Sequence, residues 1–472
     1  MEASQKNEIE LSKYWQEVLK DCKLALEEQE KSSPKKQPSL KSTNSAIKDD
    51  LKFSKMYNAL IHSGRYTEEL MKLEFSYRPP VEDMFKTRDT SLEELQVKSS
   101  KEIEEAISQL GQSHTEASIS CLSSQHCQDM ERLLSNWNKS IEALKDAQRE
   151  DFCERLEALY NELIKSVEKS NVTSKVASSD KSNVKETLTK SISICQENPT
   201  FSFEDLTLDA ATYPSHMEES FTINLGSQLK TAHNLRLMAV DSLYLCDTQR
   251  NRSCQMRTQT AMSLYSHNLS ALVLLVDSHF ESYYGIQYDF AQLCNRLNEL
   301  HFDSLCNQIK NIQNHVMPAY AGRRNLETGD CYVTRHSNLA NVHIVFHLVT
   351  DDSLKTCEIN SRHSIMASLR NILRVAHMYD IKTISIPLLL IDEMNEEILT
   401  VNWCLKRAEL VLKCVKGFLI EMASLSTGVE QGTIQFLVPR GISEQLFTSL
   451  ASLIPEIFRL ANSLNFKSST SQ

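Results

Sequence analysis

Residues Thr383 to Leu390, which read TISIPLLL, form a nearly continuous apolar run. Such a run is typical of a β-strand that is covered on both faces, because neither face then needs polar side chains. Further strands are predicted at Val342–Val349 (VHIVFHLV), Thr433–Val438 (TIQFLV) and, more briefly, Cys331–Val333. Helical segments alternate with these strands, so residues 329–467 are predicted to form a three-layer α/β domain in which helices cover a parallel sheet.

The helices of this domain are recognised by apolar residues spaced three and four positions apart. A third helix is predicted to begin after Ser443, a residue type that caps helix N-termini, and to kink or split at Pro455. The apolar positions of the first two helices are Ile365, Leu369, Ile372, Leu373 and Ala376, and then Ala408, Val411, Leu412, Val415, Leu419 and Met422.

The rest of the chain is predicted to be mainly α-helical. Residues 29–50 and 168–200 are rich in Ser, Lys and Asp, a composition that favours flexible linkers because it buries little apolar surface. The linkers separate an N-terminal helix at 1–28, a helical and partly coiled-coil region at 51–167, and a helical bundle at 201–320. The apolar stripes of the predicted bundle are Leu225, Leu229, Ala232, Leu235 and Met238, and then Ala261, Leu264, Leu272, Val276 and Phe280.

A heptad-like seam lies in the second of these regions. Met130, Leu134, Trp137, Ile141 and Leu144 follow one another at steps of four, three, four and three residues. This spacing is typical of a helix that faces one other helix. The facing helix could belong to the same chain, as in an intramolecular hairpin, or to a partner. We predict a partner, which makes these five residues a candidate interface.

Composition narrows the class of protein. The chain has 472 residues, only 10 glycines, a net charge of −11, and 13 cysteines that never occur as C-x-x-C. Proteins that bind RNA directly usually concentrate Lys and Arg, and zinc sites need clustered ligands, so neither class is favoured. The charged N-terminus and the short apolar runs predict a cytosolic protein without a secretion signal and without membrane insertion.

The loop Leu390–Glu397 is the first place to look for chemistry, because ligands of α/β sheets bind beyond the carboxyl ends of strands. It contains no glycine, and its carboxylates would repel a diphosphate. Asp392 and Glu396 could form a general acid/base pair or a divalent-cation site, although a solvated acidic loop is the preferred interpretation. The chain has no G-x-S-x-G, Walker A or G-x-G-x-x-G motif, so we predict no catalytic residues, no cofactor and no metal.

Two polar groups in the α/β domain remain to be explained. His343 and His347 share one face of a predicted strand, but a metal site would need a third ligand, so they are interpreted as structural histidines. The segment Thr334–Asn338 could bind a ligand or simply form a turn, and we favour the turn.

Two resemblances add to this interpretation. The segments VHIVFHLV, SLRNILRVAHMYDIKTISIPLL and GTIQFLVP are similar to the later half of a macrodomain, the ADP-ribose-binding α/β/α module. A macrodomain has a glycine-rich G-T-G loop where this chain has Leu389-Leu390-Ile391-Asp392, and the asparagine-rich motif of that module is missing. The resemblance therefore implies a macro-like fold without its ligand.

From about Ala46 to its C-terminus, the chain also resembles the family of the third subunit of the FERRY complex, a five-subunit effector of the early-endosomal Rab GTPase that binds messenger RNA. The front of the chain is expected to lack a strand-containing N-terminal segment that is typical of the family. The segments that carry the resemblance are SFTINLGSQLKTAHNLRL (220–237), LVLLVDS (272–278), TRHSNL (334–339), LRNILRV (369–375), TISIPLLL (383–390), AELVLKCVKGF (408–418), EMAS (421–424) and QFLVP (435–439).

This family resemblance implies a non-catalytic scaffold or adaptor subunit, because the family has no assigned catalytic residues. Its direct partners would be the other FERRY-type subunits, and it would reach the Rab GTPase and messenger RNA through the complex. It would be cytoplasmic and recruited to early endosomes. The alternative is a macro-like domain that binds or hydrolyses an ADP-ribose-type nucleotide, and a third possibility is direct RNA binding.

Overall fold

A computed structural model gives the fold of most of the chain, which divides into two compact units, Met1–Lys52 and Phe53–Gln472. Of the first unit it describes only residues 41–52, and of residues 41–51 only the backbone. The predicted helix at 1–28 therefore lies outside the described residues. The described ranges are 41–176, 217–225, 231–247, 263–265, 268–280, 284–316, 326–356, 358–392, 400–425 and 431–458.

The front of the chain is helical, as predicted. Helix α1 spans Lys41–Ser63, α2 Thr67–Ser76, α3 Arg78–Ser108 and α4 Glu116–Val176. The predicted bounds of both linkers include helical residues, because residues 41–50 belong to α1 and residues 168–176 to α4. A composition rich in Ser, Lys and Asp does not by itself separate a linker from a helix, because exposed helix faces use the same residue types.

Helices α3 and α4 form an antiparallel hairpin, referred to below as the α3–α4 hairpin. Gly111 in the connecting turn has a φ of +83°, a left-handed conformation that a residue with a Cβ rarely adopts. The start of α4 is capped reciprocally: Thr115 Oγ1 accepts from the Ser118 amide at 3.3 Å, and Ser118 Oγ accepts from the Thr115 amide at 2.9 Å. Local residues therefore favour the turn and the start of α4. The predicted coiled coil, in the sense of a regular supercoil, is not confirmed.

A mixed, seven-stranded sheet lies at the centre of the second unit. Its spatial order is β1-β2-β7-β6-β3-β5-β4. The pairs from β2 to β5 in this order are parallel, whereas the outer pairs β1–β2 and β5–β4 are antiparallel. The strands are β1 (Glu218–Leu225), β2 (Thr231–Ala239), β3 (Leu269–Val276), β4 (Cys331–Arg335), β5 (Ile344–Val349), β6 (Ile381–Pro387) and β7 (Gln431–Val438).

Helices cover both faces of this sheet. Ser443 caps the last helix as predicted, since its Oγ accepts from the Leu446 amide at 3.3 Å. That helix continues through Pro455 and is not split there. The helices are α5 (Gly285–Arg296), α6 (Leu305–Val316), the short α7 (Ser353–Thr356), α8 (Ser364–Met378), α9 (Val401–Leu425) and α10 (Glu444–Phe458), with a 3₁₀ turn at Ser242–Leu245.

The central strand β3 shows how the sheet is buried. Val273 and Leu275 point into the core that α8, α9 and α10 cover, while Leu272 and Leu274 point into the core on the opposite face, with α5. All four side chains are at most 2% exposed. Successive side chains of a strand point to opposite faces, so a strand buried on both sides reads as an unbroken apolar run.

Three predictions about this unit were wrong. The predicted helical bundle at 201–320 instead contributes β1, β2 and β3, and the sheet is mixed where a parallel one was predicted. The boundary at residue 329 fails for the same reason, because β3 lies between β5 and β6. The spacing of Leu235 and Met238 fits a helical period only by coincidence. In the structure, Leu235 and Leu237 point into the core on one face of the sheet and Met238 points into the core on the other face, which is the alternation of a strand.

Candidate functional site

The carboxyl edge of the parallel strands is filled by the loop that follows β6. Leu388, Leu389, Leu390 and Ile391 are between 0% and 5% exposed and belong to the main core. The Leu388 amide donates to the carbonyl oxygen of Leu437, near the C-terminal end of neighbouring β7, at 2.8 Å. The crevice in which α/β sheets commonly hold ligands is therefore occupied by the protein's own aliphatic side chains.

The predicted acidic pair in this loop is only partly described. Asp392 is half-buried, and Glu396 lies outside the described residues. Across the described part of the chain, no group of three or more His, Cys, Asp or Glu side chains is arranged to hold a metal ion.

A second carboxylate at this edge, Asp351, is used to begin a short helix. It accepts hydrogen bonds from the Ser353 amide at 2.9 Å, from the Ser353 hydroxyl and from the Thr328 hydroxyl. The hydrogen bond from Ser353 is the main reason that the pKa of Asp351 is lowered. A carboxylate held in this way starts α7 and ties it to residue 328, which is a structural role.

A buried polar cluster connects the β4–β5 region to helix α5. Thr334 Oγ1 lies 2.8 Å from Nε2 of both His336 and His347, and all three residues are at most 2% exposed. The Tyr332 ring stacks on His347 with 4.5 Å between centroids, and Phe290 contacts both imidazoles edge-on. Burial lowers the pKa of both histidines to about 3, so they are neutral near pH 7.

The structure separates the two histidines that share a predicted strand face. His343 Nδ1 accepts from the Ser270 amide at 3.1 Å, whereas His347 belongs to the Thr334 cluster. Both have side-chain or backbone partners within the fold, which is what the interpretation as structural histidines predicted. The segment Thr334–Asn338 is more than a turn, because it carries His336 into the core and presents Ser337 to Glu299.

Glu299 organises the loop between α5 and α6. Its carboxylate accepts from the amides of His301 and Phe302, both at 3.2 Å, and from the Ser337 amide at 2.9 Å and hydroxyl. Burial nevertheless raises the pKa of Glu299, because four donors do not fully replace lost hydration. The loop geometry places the neighbouring His301 where the helical region docks.

His301 is the centre of an aromatic collar that joins the helices to the sheet. Its imidazole centroid lies 4.6 Å from Tyr57, 5.3 Å from Phe53 and 5.7 Å from Phe152. Its Nε2 lies 3.5 Å from the Glu74 carboxylate. Polar interactions lie beside the collar. Arg149 forms an ion pair with Asp303 at 3.1 Å. The side chain of Gln148 accepts a hydrogen bond from the Asn298 amide group and donates one to the carbonyl oxygen of Tyr77. Sequence reasoning missed this site, because its residues come from four distant segments without a common pattern.

The predicted partner seam on α4 is divided between two environments. Ile141 is 3% exposed and packs with Val81 and Phe85 of α3, with Leu144 against the same cluster. Met130 and Trp137 are half-buried, and Leu134 is 38% exposed. The intramolecular hairpin, the alternative left open by the sequence, therefore accounts for the part near Ile141. The rest stays a predicted interface.

The sequence was compared with known families and proteins. It matches the family described as Ferry endosomal RAB5 effector complex subunit 3 over residues 2–325 and 318–464, which extends further forward than the predicted start near Ala46. The proteins of that name from Homo sapiens and Rattus norvegicus are each 36% identical to this chain, over 452 and 450 residues. Each alignment covers 89% of this chain and 78% of the relative.

Solved structures give a weaker likeness. The Oceanobacillus iheyensis macrodomain with MES bound aligns with a TM-score of 0.32 and 12% identity, over 52% of this chain and 99% of that one. The macro domain of ganglioside induced differentiation associated protein 2 aligns with a TM-score of 0.26 and 15% identity, over 40% of this chain and 78% of that one. Among the described helices, none combines the length and apolar character needed to cross a bilayer.

Proposed function

Because the chain belongs to the family of subunit 3 of the FERRY endosomal RAB5 effector complex, we propose that it is a non-catalytic scaffold or adaptor subunit of such a complex. In this proposal the complex couples messenger RNA to early endosomes. The chain contacts the other subunits directly and reaches the Rab GTPase and the messenger RNA through them. It is recruited to early endosomes from the cytoplasm by its partners.

The α3–α4 hairpin is the observation that carries the proposal. Of residues 86–140, which form its outer part, only Ala106 is buried. Apolar side chains at the seam positions, including Trp137, stay half-exposed, because two helices cannot cover each other's apolar faces completely. Burial of such surface contributes about 25 cal/mol per Å², and aromatic side chains are the strongest anchors of interfaces. A partner subunit would therefore gain most by binding here.

A non-catalytic role is supported by the filled edge of the sheet. Leu388–Ile391 occupy the crevice beyond β6, so a nucleotide would have to displace buried leucines.

Removal of the hairpin tip tests the proposal. In the variant, a short Gly/Ser turn joins Arg88 to Lys139, so Trp137 is removed and the cluster of Val81, Phe85 and Ile141 is kept. The chain and the other subunits of a FERRY-type complex are expressed together and purified through a tag on another subunit. We expect the intact chain to co-purify and the shortened chain to be lost from the complex.

Thermal unfolding of the shortened chain is the control, because the His301 collar and the sheet are untouched and their melting temperature should not change. Failure of the intact chain to co-purify would refute the subunit role itself. Normal assembly of the shortened chain would instead place the contact elsewhere. RNA titration of the isolated chain belongs to the same test. Because the net charge is −11, we expect weak binding of RNA. Sub-micromolar affinity at physiological salt would show that this chain itself contacts the RNA.

A further inference from the structure

The outer end of the α3–α4 hairpin carries a groove on one flank, called here the tip groove. It measures about 570 Å³ and is lined by Ile103 and Leu110 on one side and by residues of α4 on the other. The α4 residues that line it are Glu116, Ile119, Ser120, Ser123 and Ser124. Serine side chains are short, so the backbone of another helix can come close to α4 above the apolar residues of the groove.

Exposed apolar side chains extend the tip groove along both helices. Ile107 is 55% exposed and Leu110 47%, and they follow Ile103 at helical spacing of four and three residues. On α4, Leu134 is 38% exposed and lies on the same stripe as Ser120, Ser124 and Glu131. The stripe from Ser120 to Leu134 is roughly 21 Å long at about 1.5 Å rise per residue, which is close to four helical turns.

Carboxylates flank the tip groove: Glu116 lines it, and Glu104 and Glu131 lie near its apolar residues on α3 and α4. Glu104, Glu116 and Glu131 form no ion pair among the described residues. Two basic residues of the outer hairpin are directed to other carboxylates: Lys98 lies 3.8 Å from Glu102, and Arg132 lies 3.2 Å from Asp129. The groove therefore combines an apolar floor with uncompensated negative charge on both sides.

From these features we propose that the tip groove binds a basic amphipathic helix of a partner subunit and completes a three-helix bundle. The helix has apolar residues at i, i+3 or i+4, and i+7, and Lys or Arg on both flanks, over at least roughly fourteen residues. This inference rests on the proposed assembly function and specifies its contact. Acidic walls disfavour anionic lipid and nucleic acid, which carry the same sign of charge.

Two matched pairs of variants test the contact in the co-expressed complex. Ile107→Asp places one charge on the groove, and Val97→Asp is its control, since Val97 is 49% exposed on a surface formed by α3 alone. Glu116→Lys with Glu131→Lys reverses the walls, and Glu94→Lys with Glu105→Lys makes the same charge change on the other flank of α3. We expect both groove variants to weaken subunit affinity at low salt by about tenfold or more, and both controls by less than about threefold.

Photo-crosslinking identifies what occupies the groove. A benzophenone amino acid at Ser123, with one at Val97 as control, is activated in the purified complex, and the linked peptide is sequenced by mass spectrometry. The expected product from Ser123 is a partner segment with helical apolar spacing and several Lys or Arg residues, and charge reversal in that segment restores binding to the Glu116→Lys, Glu131→Lys chain.

Several results would overturn the inference. A crosslink to lipid, to RNA, to this chain's own residues or to an acidic segment would each refute it. Equal behaviour of groove and control variants would do the same, provided that circular dichroism shows unchanged helix content. In that outcome the intact chain still assembles, so the proposed function stands and only the tip groove is rejected.

Discussion

Leu390 combines two properties with opposite energetic effects. Its φ is +56°, in the left-handed region that glycine occupies without strain, and its side chain is 1% exposed in the main core. Leu389, directly before it, is also 1% exposed but has no positive φ. Replacing each leucine by Ala and by Gly therefore separates the backbone contribution from the side-chain contribution.

The expected magnitudes follow from these two properties. At either position, Leu→Ala should lower the free energy of unfolding by about 2–5 kcal/mol, because a buried side chain is removed. At Leu389, Gly should cost a further ~0.4–1 kcal/mol relative to Ala, since it gives the unfolded chain more freedom. At Leu390, a residue with a Cβ pays about 1–2 kcal/mol for the left-handed backbone, and Gly does not. The order therefore reverses: Leu390→Gly should be the more stable of the two by up to about 1.5 kcal/mol.

Urea unfolding of the four variants, followed by far-UV circular dichroism, measures these differences. The comparison uses the Gly-minus-Ala difference at each position, so the shared cost of losing the leucine cancels. If Gly is less stable than Ala by the same margin at both positions, the backbone at Leu390 is not strained and the reasoning fails.

Three further predictions address the hairpin, the buried histidines and the sheet edge. Ile141→Ala should destabilise the hairpin by about 2–4 kcal/mol and Leu134→Ala by less than about 1 kcal/mol, as measured by hydrogen exchange of α4 amides, because only Ile141 is fully packed. The pKa of His336 and of His347 is about 3 in the folded chain, so below about pH 6.5 the unfolded chain binds more protons than the folded chain. The free energy of unfolding should therefore fall between about pH 6.5 and about pH 3, by up to about 1.4 kcal/mol per pH unit for each histidine. In urea titrations at several pH values, His347→Gln should reduce the dependence of this free energy on pH. Isothermal titration with ADP-ribose should detect no binding tighter than about 10 µM, or about −7 kcal/mol, and tighter binding would contradict the account of Leu388–Ile391 as a filled crevice.

Elements whose residue pattern has one interpretation could be predicted from the amino-acid sequence. Strands β5 to β7 and helices α8 to α10 were predicted, because they are short apolar runs that alternate with long amphipathic segments. The helical character of residues 51–167 was predicted for the same reason. Local periodicity reports which face of an element is buried, and this information is present in neighbouring residues.

The element that covers each buried face could not be predicted and is seen in the folded chain. The run ALVLLV at 271–276 fits a buried helix or a buried strand equally well, and its place between β5 and β6 is set by pairing with residues more than 70 positions away. Ile141 and Leu134 look equivalent in the heptad, yet one packs against α3 and the other faces solvent. The collar around His301 unites residues from four segments, and no one segment contains a sign of the others. Such contacts depend on where the chain returns in space, which a pattern of adjacent residues does not contain.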